Sequence, residues 1–512
     1  MKSKRDRWVL AGLVMLLVPS CDGGASPGDP GGDADRDIPV ATDPGTDPEV
    51  DRDVDRDPAP ETVPGDPGGG LDSAVEDSIP EAGDPGGTDP GTDPGTDPGT
   101  DPGTVDPGFC RSFADCAPDE SCDFSMGRCE PRDSWKTGKP ALYAFHPPAG
   151  AAGDMLVIDG SVFFVNLFSS MSGVTADIGG KRVAGGFGNI GVDENRMIGV
   201  IPAGASGAVR VVFADGGGTK TFSVPFATLP AGVVACDGST PGRGPAGDRP
   251  TRTGPYAAGY VDVDLLYTRV FYPAECGSMR RPGVPGTWPL LVSLAGNGAL
   301  HLHHEQTAQL LATWGILTVM PKTEQTNQWS DEASGQIRDV VNRFRDKADL
   351  GDLHPALAGV GTTDRLAFLG HSRGCGRTLE YLQDFKATRD HLVATVFLGP
   401  HDRDVTVPGA FLVFGAGKDG QSLPSFTDNA YSRQAAPKWK VWMPGGNHGN
   451  FCDHKVYYSL DGQPTITRHQ QLETVQTFLV PFLQRAFGLD QPFADWLDHP
   501  PPSAIYTVQS DT

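Results

Sequence analysis

No apolar run in this sequence is long enough to cross a bilayer. The one at the amino end, Trp8 to Val18, falls well short of the roughly 20 residues a spanning helix needs. Basic side chains are scarce, with 41 Lys plus Arg against 65 Asp plus Glu, and no nucleic-acid partner is expected. CxxC pairs of the zinc-binding kind are missing. So are the spacings of an EF-hand loop or a glycine nonapeptide, which leaves the many aspartates without a calcium-binding arrangement. Hydrophobic periodicity is absent from Asp22 to Gly108. That stretch is rich in Asp, Pro, Gly and Thr and repeats Asp-Pro-Gly-Thr four times from Asp89 to Thr104. Such a composition cannot bury enough apolar surface to offset chain entropy, so residues 21–108 are predicted to be a disordered, extended linker. They hold 24 acidic residues against 3 arginines, most of the chain's net charge of −24. The acidity therefore belongs to the linker and says little about a substrate.

What is present begins with a basic start, Lys2, Lys4, Arg5 and Arg7, ahead of the apolar run. The run ends at Val18-Pro19-Ser20-Cys21, so residues 1–20 read as a signal peptide. A small residue before a lone cysteine resembles a bacterial lipobox. The resemblance implies that Cys21 becomes the first mature residue and carries acyl chains. These would anchor the chain to a bacterial membrane, at the outer membrane or cell surface. Residues 109–132 hold Cys110, Cys116, Cys122 and Cys129, which in an oxidising compartment read as two disulfides of undetermined pairing. Residues 139–230 change to short β runs, such as Met155 to Ile158, Val174 to Ile178 and Val209 to Phe213, between glycine-rich turns. Phe145-His146-Pro147-Pro148-Ala149-Gly150, Val157 to Phe163, Ile178-Gly179-Gly180, Val200-Ile201-Pro202 and Ala205-Ser206-Gly207 together resemble an IPT/TIG immunoglobulin-like domain. That implies an all-β sandwich serving as spacer or contact module.

Residues 250–490 are long enough for one α/β core, followed by a tail over 491–512. Expected strands cover Val261 to Phe271, Leu290 to Leu294, Ile316 to Met320, Arg365 to Leu369, Val393 to Leu398, Ala410 to Phe414 and, last, Lys438 to Met443. Expected helices cover His304 to Trp314, Glu332 to Lys347 and Gln471 to Phe487. Alternation of strand and helix predicts a doubly wound, mostly parallel sheet with its site at the carboxyl ends of strands. At one such end stands Gly370-His371-Ser372-Arg373-Gly374, a G-x-S-x-G between a strand and a helix. A serine hydroxyl needs a base oriented by an acid. His448, after Pro444-Gly445-Gly446-Asn447, is the candidate base. Asp419, after Phe414-Gly415-Ala416-Gly417-Lys418, is the candidate acid, with Asp402 as the other aspartate past a strand. The backbone N–H groups of Arg373 and Asn297 are the expected oxyanion donors. His301, His303 and His304 are read as lining the cleft. The triad needs no metal and no matching carboxylate motif accompanies them, so neither metal nor cofactor is expected. Cys375 and Cys452 lie close in sequence to Ser372 and His448, which predicts a disulfide between them and leaves Cys236 with Cys276 as another.

The segments Gly-His-Ser-Arg-Gly, Gly-Ala-Gly-Lys-Asp and Gly-Gly-Asn-His-Gly-Asn-Phe resemble α/β-hydrolases of the dienelactone hydrolase, chlorophyllase and cutinase-like group. Cys375 stands where relatives often carry a small glycine. The resemblance implies a serine esterase acting on an ester substrate of unspecified identity through an acyl-enzyme. A peptidase on the same fold and a catalytically inactive surface adhesin are the competing readings.

Overall fold

The computed structural model describes residues 109–512, apart from 118–119, 132–140, 162–173, 186–190, 193–195, 214–217, 297–299, 324–330, 402, 405, 454–459 and 491. The signal segment, Cys21, the linker, Asn297 and Asp402 thus lie outside the described residues. Among the described residues, no helix is long and apolar enough to cross a membrane.

The cysteine-rich segment forms a hairpin of Glu120–Asp123 with Arg128–Pro131. Its disulfides are Cys110–Cys122 and Cys116–Cys129. It is no isolated bead. Phe113 and Phe124 are buried in the main core, Phe113 stacks on His469, and the Phe124 N–H donates to Gln309 Oε1 at 3.0 Å.

Two five-stranded sheets follow. One contains Ala141–His146, Met155–Ser161 and Arg196–Val200. The other contains Thr175–Ile178, Gly207–Phe213 and Gly218–Thr228. Along Gly207–Phe213 the buried residues are Val209, Val211 and Phe213, the period of two that points one face inward. They meet Phe145, Leu156, Ile158 and Met197 of the facing sheet in a shared core. Met155, Val157 and Ile198 point away from that core and pack on Tyr260, Phe271 and Met320 of the next sheet.

That next sheet has ten strands. They are β1 (Ala257–Val263), β2 (Thr268–Ala274), β3 (Ser278–Met279), β4 (Gly286–Leu294), β5 (Leu317–Met320), β6 (Val360–His371), β7 (Leu392–Leu398), β8 (Ala410–Ala416), β9 (Lys438–Met443) and β10 (Thr507–Asp511). Their spatial order is β3-β1-β2-β5-β4-β6-β7-β8-β9-β10. The run from β5 to β9 is parallel throughout. Near-continuous apolar strands such as β8 are buried on both faces, as a parallel sheet requires. Leu412, Phe414 and Ala416 of β8 enter one core with helices α1 (Glu305–Thr313) and α5 (Arg468–Phe487). Phe411 and Val413 enter the other with α2 (Asp331–Phe344), α3 (Arg373–Asp384) and α4 (Pro424–Arg433). Helices lie on both faces of the parallel run of this mixed sheet, which is compatible with an α/β fold.

Two elements differ from expectation. Val261 to Phe271 is not one strand: the chain reverses at Leu265–Tyr267, where Leu266 and Tyr267 take positive φ. The apolar pattern runs on through that turn and hides it. The tail supplies β10, antiparallel to β9 at the sheet edge. Its residues are mostly exposed, so no apolar period announces it.

Candidate active site

β6 passes directly into α3, and Ser372 is the one residue between them. Its φ of 52° and ψ of −117° lie in a region that non-glycine residues rarely adopt. A strained serine at a strand-to-helix turn is the geometry that lifts a hydroxyl off the sheet edge. The chain must pass closely on both sides. A Cβ on Gly374 would sit 2.1 Å from the Leu294 carbonyl oxygen, and one on Gly370 would sit 2.6 Å from the Cys375 nitrogen. Neither position admits a side chain. The Ser372 N–H donates to the Leu398 carbonyl at 2.9 Å, tying the turn to the end of β7.

Asp419 and His448 follow the carboxyl ends of β8 and β9. His448 Nδ1 and Asp419 Oδ2 are 2.7 Å apart, and both side chains are buried. The second carboxylate oxygen of Asp419 accepts from the N–H groups of Gln421 at 2.8 Å and Ser422 at 2.6 Å, which fixes its plane. Gly399, at φ 53°, lies against this pair, since a Cβ there would be 2.8 Å from His448 Nδ1. Any side chain at that position would displace the imidazole.

Arg373 opens α3, so its N–H belongs to the first turn of that helix, next to Ser372. The loop after β4 also reaches the nucleophile: a Cβ on Gly296 would lie 2.9 Å from Ser372 Cβ. Asn297, the second expected donor, is the next residue and lies outside the described residues, as does Asp402.

Three residues that the sequence reading missed hold or face this site. His401 Nε2 lies 3.3 Å from Ser372 Oγ, and burial holds the His401 imidazole below the usual histidine range. No motif marks it; its only signal was a place past the end of β7. Asp461 accepts from the N–H groups of Gly420 at 3.1 Å and Gly449 at 2.9 Å, joining the two loops that carry Asp419 and His448. Gln471 of α5 accepts from the Asn447 N–H at 3.0 Å and donates to the Asn447 carbonyl at 2.7 Å.

Of the cysteines, Cys236–Cys276 is bridged as expected. The Cys375–Cys452 disulfide is not formed, and both residues are buried thiols. The reason is the sheet itself. Cys375 Sγ points back to the Gly370 carbonyl at 3.1 Å and packs in the core shared with α3. Phe451, next to Cys452, packs in the opposite core, and Cys452 Sγ faces His371 Nδ1 at 3.7 Å. Closeness in sequence to Ser372 and His448 does not fix which side of a sheet a thiol occupies. His301, His303 and His304 form a buried 3₁₀ turn ahead of α1.

No protein-family model matches this chain, and no curated protein does.

Proposed function

We propose that the chain is a serine hydrolase of the α/β-hydrolase kind. It would cleave carboxylic esters through Ser372 as nucleophile, His448 as base and Asp419 as the acid that orients it. The observation that carries this reading is the strained Ser372 at the carboxyl end of β6, on the same sheet edge as a buried Asp419–His448 pair beyond β8 and β9. His448 takes the Ser372 proton as Oγ attacks the ester carbonyl. The Arg373 N–H, with a donor from the loop after Gly296, meets the oxyanion. The protonated imidazole then gives its proton to the leaving alcohol. Water, deprotonated by the same imidazole, releases the acid. In this reading residues 139–230 are an IPT/TIG-like module, and Cys21 holds the enzyme at the cell envelope through its acyl chains.

Labelling with a fluorophosphonate probe tests the nucleophile directly. Wild-type chain should label stoichiometrically and Ser372→Ala not at all, with unchanged thermal unfolding. An unlabelled, well-folded wild type removes the enzyme reading and leaves the adhesin. A panel of p-nitrophenyl esters beside an amide analogue then separates esterase from peptidase.

A further inference from the structure

Beside the elbow, but outside the Ser372, His448 and Asp419 set, three metal-binding side chains converge. One ligand atom from each of His304, His371 and Cys452 lies within 4.8 Å of the others. All three residues are buried, with His304 2% exposed and His371 fully enclosed. The His371 Nδ1 to Cys452 Sγ separation is 3.7 Å. A tetrahedral ion at zinc–nitrogen and zinc–sulfur bond lengths sets nitrogen and sulfur ligands roughly 3.6 Å apart. The two rings stand nearly perpendicular, at 82°, with centroids 5.3 Å apart.

The surroundings match what a metal requires of its ligands. A ligating histidine presents one ring nitrogen to the ion and hydrogen-bonds through the other, which fixes ring and tautomer. His304 is hydrogen-bonded to the main chain of Phe451, while its Nε2 is buried without a hydrogen-bond partner among the described residues. The His371 ring packs on that of His448, with centroids 4.6 Å apart, and its Nδ1 is the atom turned to Cys452. The segments carrying the ligands are pinned together independently. Asp453 donates its N–H to the His303 carbonyl at 2.7 Å, and its carboxylate accepts from the Gln306 and Thr307 N–H groups at the start of α1. A thiol and two imidazoles form a donor set of intermediate softness, suited to zinc and poorly suited to calcium or magnesium.

We propose that His304, His371 and Cys452 bind one divalent transition-metal ion, zinc by donor chemistry. The ion joins three segments: the residue before Ser372, the loop after His448, and the turn after the Ala295-Gly296 loop. It thereby supplies the cross-link expected of a disulfide at Cys452. Binding replaces the Cys452 thiol proton, which leaves to solvent, with a sulfur–metal bond. Because the site is enclosed, metal enters as the chain folds.

Metal content reads this without turnover, so the hydrolase reading can fail while this one stands. Full-length chain made in zinc-supplemented medium should carry about one equivalent of zinc. Cys452→Ser and His304→Gln should each lose it, and Cys375→Ser should keep it. Chain made with cobalt in place of zinc should show a thiolate-to-cobalt charge-transfer band, absent in Cys452→Ser. This wild-type spectrum decides the matter even where a variant fails to fold. Wild type with no stoichiometric metal and no such band overturns the proposal. So does full retention of metal in the folded Cys452→Ser chain.

Discussion

Two buried polar clusters lie on either side of the α1 start, and they are built differently. Between the two-sheet module and the ten-stranded sheet, Arg196 meets Asp159 at 2.7 Å and Glu305 at 3.0 Å. His146 also meets Glu305, at 2.9 Å, and Arg269 meets Asp262 at 2.7 Å. Arg280 pairs with Asp154 nearby. Each guanidinium finds carboxylates, and Arg196 and Arg269 also reach the carbonyls of Leu302 and Met155. At the sheet edge the groups are a hydroxyl, imidazoles, a thiol and the Asp419 carboxylate, and the Ser372 contact to His401 is a long 3.3 Å. Guanidiniums and carboxylates held in short ion pairs fix a shape. A hydroxyl beside imidazoles can exchange protons. Glu305 belongs to the first cluster and His304, its neighbour, to the second. The two-sheet module therefore braces the segment that borders the site.

Substitutions should separate the clusters, one changing rate and the other stability. The largest effect is expected from His448→Ala, a loss of about 10⁴-fold or more in kcat with little change in Tm. Asp419→Asn should follow, at about 10³ to 10⁴-fold, because an amide stabilises the wrong imidazole tautomer. Steady-state ester hydrolysis and calorimetry on the same samples check both. A large fall in Tm with either would erase the distinction. Arg196→Ala should do the reverse, costing about 3 to 5 kcal/mol of stability by leaving Asp159 buried without its guanidinium and Glu305 with only Arg269 and His146. Urea unfolding measures it. A loss well below 1 kcal/mol would mean the cluster relaxes or admits water.

The same division runs through what the sequence revealed. The elbow was legible because a strained serine needs glycines on both sides, and Gly370 and Gly374 stand in the motif. The meeting of Asp419 with His448 was legible because each lies just past an apolar strand. The docking of the two-sheet module was not, because Asp159, Arg196 and Glu305 are far apart in the chain and carry no periodic signal. Cys452 was misread for a related reason: which face of a sheet a loop side chain takes depends on packing partners such as Phe451. His401 was passed over because one histidine after a strand has no pattern around it.

The smallest and most discriminating effect concerns that histidine. The His401 imidazole borders Ser372, whereas His448 is the imidazole paired with a carboxylate that can orient it and stabilise its charge. Burial, and the charge that His448 would carry, hold His401 below the ordinary histidine range. It therefore stays neutral while His448 accepts the proton, and acts by positioning the hydroxyl. His401→Gln keeps a hydrogen-bonding group there and should lower kcat/KM about tenfold, roughly 1.4 kcal/mol. The acid limb of the rate profile should not move, because His401 is not the group that takes the Ser372 proton. If instead His401→Gln costs as much as His448→Ala, or shifts that limb, the base is His401. The Asp419–His448 pair would then belong with the structural charges on the other side of α1.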